Sequence, residues 1–314
     1  AVRKGIPMVV PDAEATKETY PAEYDLYQRL GIRSVIAVSL EPRPVALLAV
    51  STVVQLEFYQ MARKYEPVSW FGLLMGTAWL IGSAAYPGLL GLSACLFAGG
   101  LALAPLVFLL ACIVLFRARY RNPVGTIAVT LLGFAYVPFL LSFFLRFVQL
   151  EPAANTLFAM PATRVGLYTL FFLIAVAKFS DTGGFAFGVA MGRHKLCPSI
   201  SPNKSWEGLV GSMVFASATT AVFCCLARRF GWAEHCALWG WLDAARVVPV
   251  GIAFALVATA GDLIESRFKR ECGVKDSSTF LPAGMGGFLD MFDSFIFLPA
   301  LVYGLLVAVS AMGG

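Results

Sequence analysis

The sequence predicts an all-α, polytopic integral membrane protein. Three observations carry that expectation: an excess of apolar residues, apolar blocks of membrane-crossing length, and basic residues gathered between alternate blocks. The 314 residues are 59% hydrophobic and only 14% charged, with a mean hydropathy of +0.76. Globular domains run nearer half apolar and about a quarter charged, so a soluble chain of this composition could hardly cover its surface. Residues 124–144 form a run of twenty-one without a formal charge, and residues 206–227 contain only Glu207. A hydrocarbon core of about 30 Å takes about 20 helical residues to cross.

Taken in order, residues 1–43 read as a polar N-terminal segment with Pro7, Pro11 and Pro21, no signal-peptide pattern, and an amphipathic surface helix around 24–33. The apolar blocks follow at 44–62, 69–87, 88–116, 124–148, 164–180, 206–227, 245–266 and 289–311. Block 88–116 suits one tilted helix or two short ones around Gly99 and Gly100, which gives eight or nine spans. Residues 44–150 thus read as N-terminal membrane helices, and 151–314 as a C-terminal catalytic region with loops at 181–205 and 267–288.

Those two loops are separated by two spans, so they share a membrane face, and loop 117–123 shares it too. Together they hold Arg117, Arg119, Arg121, Arg193, Lys195, Lys204, Arg267, Lys269, Arg270 and Lys275, whereas 149–163 and 228–244 offer only Arg228 and Arg229. The positive-inside rule makes the basic face cytoplasmic, where nucleotides are. The net charge of +5 lies in short clusters with no basic stripe interleaved with aromatics, which argues against nucleic acid as a partner. Seven cysteines without CxxC spacing and two histidines argue against a zinc site or a disulfide framework.

Three polar segments abut the basic face. In Lys178-Phe-Ser-Asp181-Thr-Gly-Gly184 an ion pair can form three residues apart, which alone would be an intrahelical contact reaching to the interface. In Ser201-Pro-Asn-Lys204-Ser205-Trp-Glu-Gly208, Ser205 is placed to cap the next helix, and the N–H groups there, with Lys204, can hold an anion; the plainer reading is an ordinary capped helix. In the third segment Asp262, Glu265, Ser266 and Lys269 fall on one helical face, and Asp290, Asp293 and Ser294 on a face of the next helix. Antiparallel neighbours let these carboxylates converge. Oxygen ligands without histidine suit Mg²⁺, and Asp262, Asp290 and Asp293 read as its ligands. Gly284, Gly286 and Gly287 open the last helix with unhindered N–H groups for a phosphate.

The third segment resembles the signature of the phosphatidate cytidylyltransferase (CDP-diacylglycerol synthase) family. The match runs through Ser266, Lys269, Arg270, Lys275, Asp276, Pro282, Gly284, Gly286, Gly287, Asp290 and Asp293, and the two upstream segments resemble family stretches as well. It covers about residues 178–300; before that only hydropathy and Glu57 are similar. Ala283 is an insertion, and Met285 and Met291 stand where the family has His and Arg.

The resemblance implies a Mg²⁺-dependent enzyme of the bacterial inner membrane, with a second cation left open, and a homodimer. A phosphatidate oxygen would attack the α-phosphorus of CTP and expel pyrophosphate. Asp262, Lys269, Arg270, Lys275 and Asp276 would be catalytic. Asp181, Ser201, Lys204, Ser205, Ser266 and the three glycines would bind substrate. Two rivals remain: a CTP-dependent polyprenol or phytol kinase, and a transporter, which would place its polar residues at mid-span instead.

Overall fold

A backbone in hydrocarbon must satisfy its own hydrogen bonds, and long helices dominate accordingly. The computed structural model describes residues 8–10, 35–37, 44–85, 105–117, 120–148, 162–231, 233, 236–274, 277 and 287–312. They divide into one unit at 1–43 and another at 44–314. In the first, β1 (Met8–Val10) pairs antiparallel with β2 (Val35–Ala37), Met8 opposite Ala37. The surface helix expected at 24–33 lies outside the described residues.

The second unit opens with α1 (Pro44–Met61), a 3₁₀ turn (Arg63–Tyr65), α2 (Ser69–Ala85) and the shorter α3 (Pro105–Phe116). Asn122 caps α4 (Pro123–Phe134), its Oδ1 accepting from Gly125 N at 2.9 Å, and Pro123 supplies the first helical φ. Pro138 then removes one rung of the ladder, and Ala135–Phe139 form a π turn before α5 (Leu140–Val148) resumes the span. Next come α6 (Ala162–Met191), the antiparallel pair β3 (Lys195–Cys197) and β4 (Ser201–Ser205), and α7 (Trp206–Arg229). Asp243 caps α9 (Ala244–Glu271), which follows the short α8 (Ala237–Trp241). The chain closes with α10 (Phe288–Phe292) and α11 (Leu298–Met312).

Three expectations change. Two small two-stranded ladders accompany the helices of the all-α reading; in β4, Pro202 follows Ser201 and favours extended backbone before it. The stretch expected as a loop from residue 181 is helical to Met191, so only 192–205 is non-helical. Its glycines, poor helix formers alone, are held by packing: a Cβ on Gly183 would lie 2.6 Å from Gly211 O, and one on Gly208 2.8 Å from Gly184 O. Small residues at such a crossing let two membrane helices approach closely. Finally, block 289–311 is not one helix. It breaks between α10 and α11, where Asp293 takes the backbone N–H of Ser294 and the turn leans on α9.

Four helices among the described residues are long and apolar enough to cross a membrane: Pro123–Phe147, Gly166–Met191, Trp206–Arg229 and Ala244–Glu271. At 30 residues, α6 is about 45 Å long, so it tilts or projects beyond a core of about 30 Å. Aromatic clusters fill the interior. One joins Phe172, Trp239 and Phe254 with Tyr303; a second joins Phe58, Tyr59 and Tyr136 with Leu289 and Ile296. The second brings the N-terminal helices against α10. Inside these clusters polar tips find partners: Trp239 Nε1 donates to Thr169 Oγ1 (3.2 Å), Gln55 Nε2 to Gly72 O (3.0 Å), and Tyr59 Oη to Thr130 O (2.8 Å).

Candidate active site

Helical spacing places Asp262, Glu265, Ser266 and Lys269 along one face of α9, as the sequence suggests. Glu265 is fully buried, and its Oε2 lies 3.1 Å from Lys269 Nζ. Lys269 also reaches Asp290 Oδ1 at 3.0 Å. Ser266 Oγ donates to Asp262 Oδ1 at 3.3 Å. From β4, Lys204 Nζ approaches Asp262 Oδ2 at 2.6 Å. Gly261 lets the turn after α10 come in: a Cβ there would lie 2.5 Å from Asp293 O. Oxygens of Asp262, Glu265 and Asp293 consequently lie within 4.8 Å of one another.

Asp290, expected in this trio, is not one of the three and instead borders it, its carboxyl in contact with that of Glu265. Its Oδ2 accepts from Gly287 N (2.7 Å) and Ser277 N (3.4 Å), so it organises the entry to α10 and holds Lys269. The Gly287 N–H expected to meet a phosphate is thereby engaged. Glu265 fills the third place. Sequence spacing had set it on the right face, but only the depth of α9 shows that it is enclosed. Asp181 joins from α6, 3.9 Å from Lys178, and its charge acts on Asp293. Five carboxylates (Asp181, Asp262, Glu265, Asp290, Asp293) thus face three ammonium groups (Lys178, Lys204, Lys269). Fully ionised, the group carries two negative charges in excess, which a dication would balance. Hard oxygen donors without His or Cys fit Mg²⁺ or a similar cation.

Ser205 is buried and caps α7, its Oγ accepting from Gly208 N at 3.1 Å. Ser201 is half-buried and Arg270 is exposed. Lys275, Asp276, Gly284 and Gly286 lie outside the described residues. Two groups escaped the sequence reading as parts of this site. Glu57, fully buried in α1, accepts from Leu289 N at 2.9 Å and so fixes the start of α10. Tyr136 sits in the π turn. A lone acid in an apolar span signals the first; Pro138 is the one sequence cue near the second.

The cytidylyltransferase family matches this chain over residues 31–309. Similar proteins include a phosphatidate cytidylyltransferase of Staphylococcus saprophyticus, 40% identical over 144 residues, which are 46% of this chain and 51% of that one. Those of Staphylococcus haemolyticus and Staphylococcus aureus are 39% and 40% identical over 142 residues, 45% of this chain and 50% of theirs. The chain spans about half the length of the curated relatives it matches.

Proposed function

The chain belongs to the cytidylyltransferase family, and from that premise we propose that it joins phosphatidate to the cytidylyl group of CTP. A phosphate oxygen of the lipid forms a bond to the α-phosphorus, the bond from that phosphorus to the β-phosphate oxygen breaks, and pyrophosphate leaves. CDP-diacylglycerol is the other product. The observation that carries this reading is the convergence of Asp262, Glu265 and Asp293 beside Lys204 and Lys269. The lipid substrate is taken from the names of the Staphylococcus relatives.

The nucleophile needs no side-chain base. A phosphate monoester has its second pKa near about 6 and is mostly dianionic at neutral pH. The chemistry instead needs two anions placed in line and their charge neutralised. Asp262, Glu265 and Asp293 would hold Mg²⁺, which supplies electrophilic charge to the nucleotide phosphates. Lys204, Lys269 and Arg270 add fixed positive charge. Asp290 keeps Lys269 directed at the cluster, and the glycine-rich segment with Lys275 and Asp276 completes the nucleotide side by family resemblance. Ser205 caps the helix that follows β4, Ser266 holds Asp262, and Ser201 stands at the start of β4 on the substrate side.

The same reading sets the membrane topology. Glu66 Oε2 accepts from Arg121 N (3.2 Å), and Tyr65 Oη donates to Glu271 Oε1 (2.7 Å), so the ends of α1, α3 and α9 share one face. An even number of crossings must separate each pair. With its basic residues, that face would be cytoplasmic in a bacterial inner membrane. Phosphatidate would enter from the bilayer and CTP from the cytosol; the homodimer rests on family resemblance alone.

Incubating the purified protein with phosphatidate, CTP and Mg²⁺ should yield CDP-diacylglycerol and pyrophosphate by mass spectrometry. Formation of CDP and a newly phosphorylated lipid alcohol would overturn this in favour of a lipid kinase.

A further inference from the structure

Tyr136 is 4% exposed, and among the described residues its hydroxyl has no hydrogen-bond partner. Such an orphan is costly in an apolar interior, and the neighbouring Tyr59 avoids it by donating to Thr130 O. The ring of Tyr136 is fixed on three sides, its centroid 5.5 Å from Phe268, 5.7 Å from Phe297 and 5.9 Å from Phe58. Phe268 follows Glu265 by three residues on α9, and Phe297 follows Asp293 by four on the turn before α11. The side chain is wedged between these two rings, and the charges that act on its hydroxyl are those of Glu265, Asp293 and Asp262. On the neighbouring turn of α9, among the described residues, the buried oxygens of Glu265 meet the Lys269 ammonium as an ion pair and the carboxyl of Asp290, and Oε1 and Oε2 accept no other hydrogen bond. An unpaired buried donor thus sits among the elements that carry the carboxylates. The π turn at Ala135–Phe139 places the donor there, a distortion that recurs at functional sites.

We propose that the Tyr136 hydroxyl is a positioning group for the carboxylate cluster, donating to Glu265 when the cluster holds its divalent cation. This rests on the reading of Asp262, Glu265 and Asp293 as the cation site. A neutral donor suits the task. It fixes the carboxylate's orientation through one lone pair and leaves another for the cation, without adding a positive charge that would compete. Loss of a group in this outer position typically costs about 10–100-fold in metal affinity.

The test is Mn²⁺ binding to the full chain in detergent, followed by electron paramagnetic resonance without nucleotide or lipid. Tyr136→Phe keeps the ring and removes only the hydroxyl, and it should raise the Kd for Mn²⁺ roughly tenfold or more. Its metal-free melting temperature should stay level or rise, because an unpaired buried hydroxyl is gone. An unchanged Kd, with or without a lowered metal-free melting temperature, would overturn the proposal and leave Tyr136 a packing residue. Asp293→Asn separates the two readings. If it abolishes Mn²⁺ binding while Tyr136→Phe leaves it intact, the cation site stands and the tyrosine's role falls. If the wild-type protein binds no Mn²⁺, both fall together.

Discussion

Gly261 is the residue on which the convergence of carboxylates turns. With Asp293 O only 2.5 Å from where a Cβ would sit, a methyl group must push the turn after α10 away from α9. Gly261→Ala should cost about 1–3 kcal/mol of stability, as overpacking does, and lower CDP-diacylglycerol formation by separating Asp293 from Asp262. Thermal melting and turnover in detergent check the two effects. Asp293→Asn keeps the side chain's size and removes one charge, so turnover should fall about a hundredfold, or about 3 kcal/mol of barrier, in an assay run across Mg²⁺ concentrations. The face carrying Asp262, Glu265 and Lys269 was legible because helical spacing alone defines it. The partner of Lys269 was not, since Asp290 and Asp293 both stood on the next helix face and only the break at Asp293 sends them to different neighbours.

At the scale of elements, the hairpin and the helix after it act as one lever that carries Lys204 to Asp262. Its register, Lys195 opposite Ser205 and Cys197 opposite Ser201, ends where Ser205 caps α7. Ser205→Ala should lose about 1 kcal/mol of stability and loosen the Lys204 contact, read as a raised KM for CTP. That cap could be read from Ser205 and the apolar run behind it. The length of α6 could not, because glycines at 183, 184 and 188 look like a loop until α7 is laid against them. Gly211→Leu tests the contact directly. Bulk there would meet Gly183 O and Phe187, forcing apart α6, which bears Asp181, and α7, which Ser205 caps, and the protein should melt earlier and lose most of its turnover.

For the whole molecule, the apolar blocks made four helices of membrane-crossing length legible, and basic clustering suggested which loops share a face. The count of crossings was open at Gly99 and Gly100, and contacts between distant loops bear on it through parity. Single cysteines placed at residues 199 and 273 should react with an impermeant reagent from one side of the membrane only, and one at residue 231 from the other; labelling of 199 and 273 from opposite sides would refute a shared face. The contact between Glu57 and Leu289 joins residues 232 apart in sequence. At synthesis rates of about 5–20 residues per second, the carboxylate of α1 waits roughly 10–50 s for the backbone that will engage it. During that interval Glu57 lacks the backbone donor that engages it in the folded chain. A polypeptide stopped short of residue 289 never supplies that donor, so the acid of α1 and the start of α10 are completed in one step.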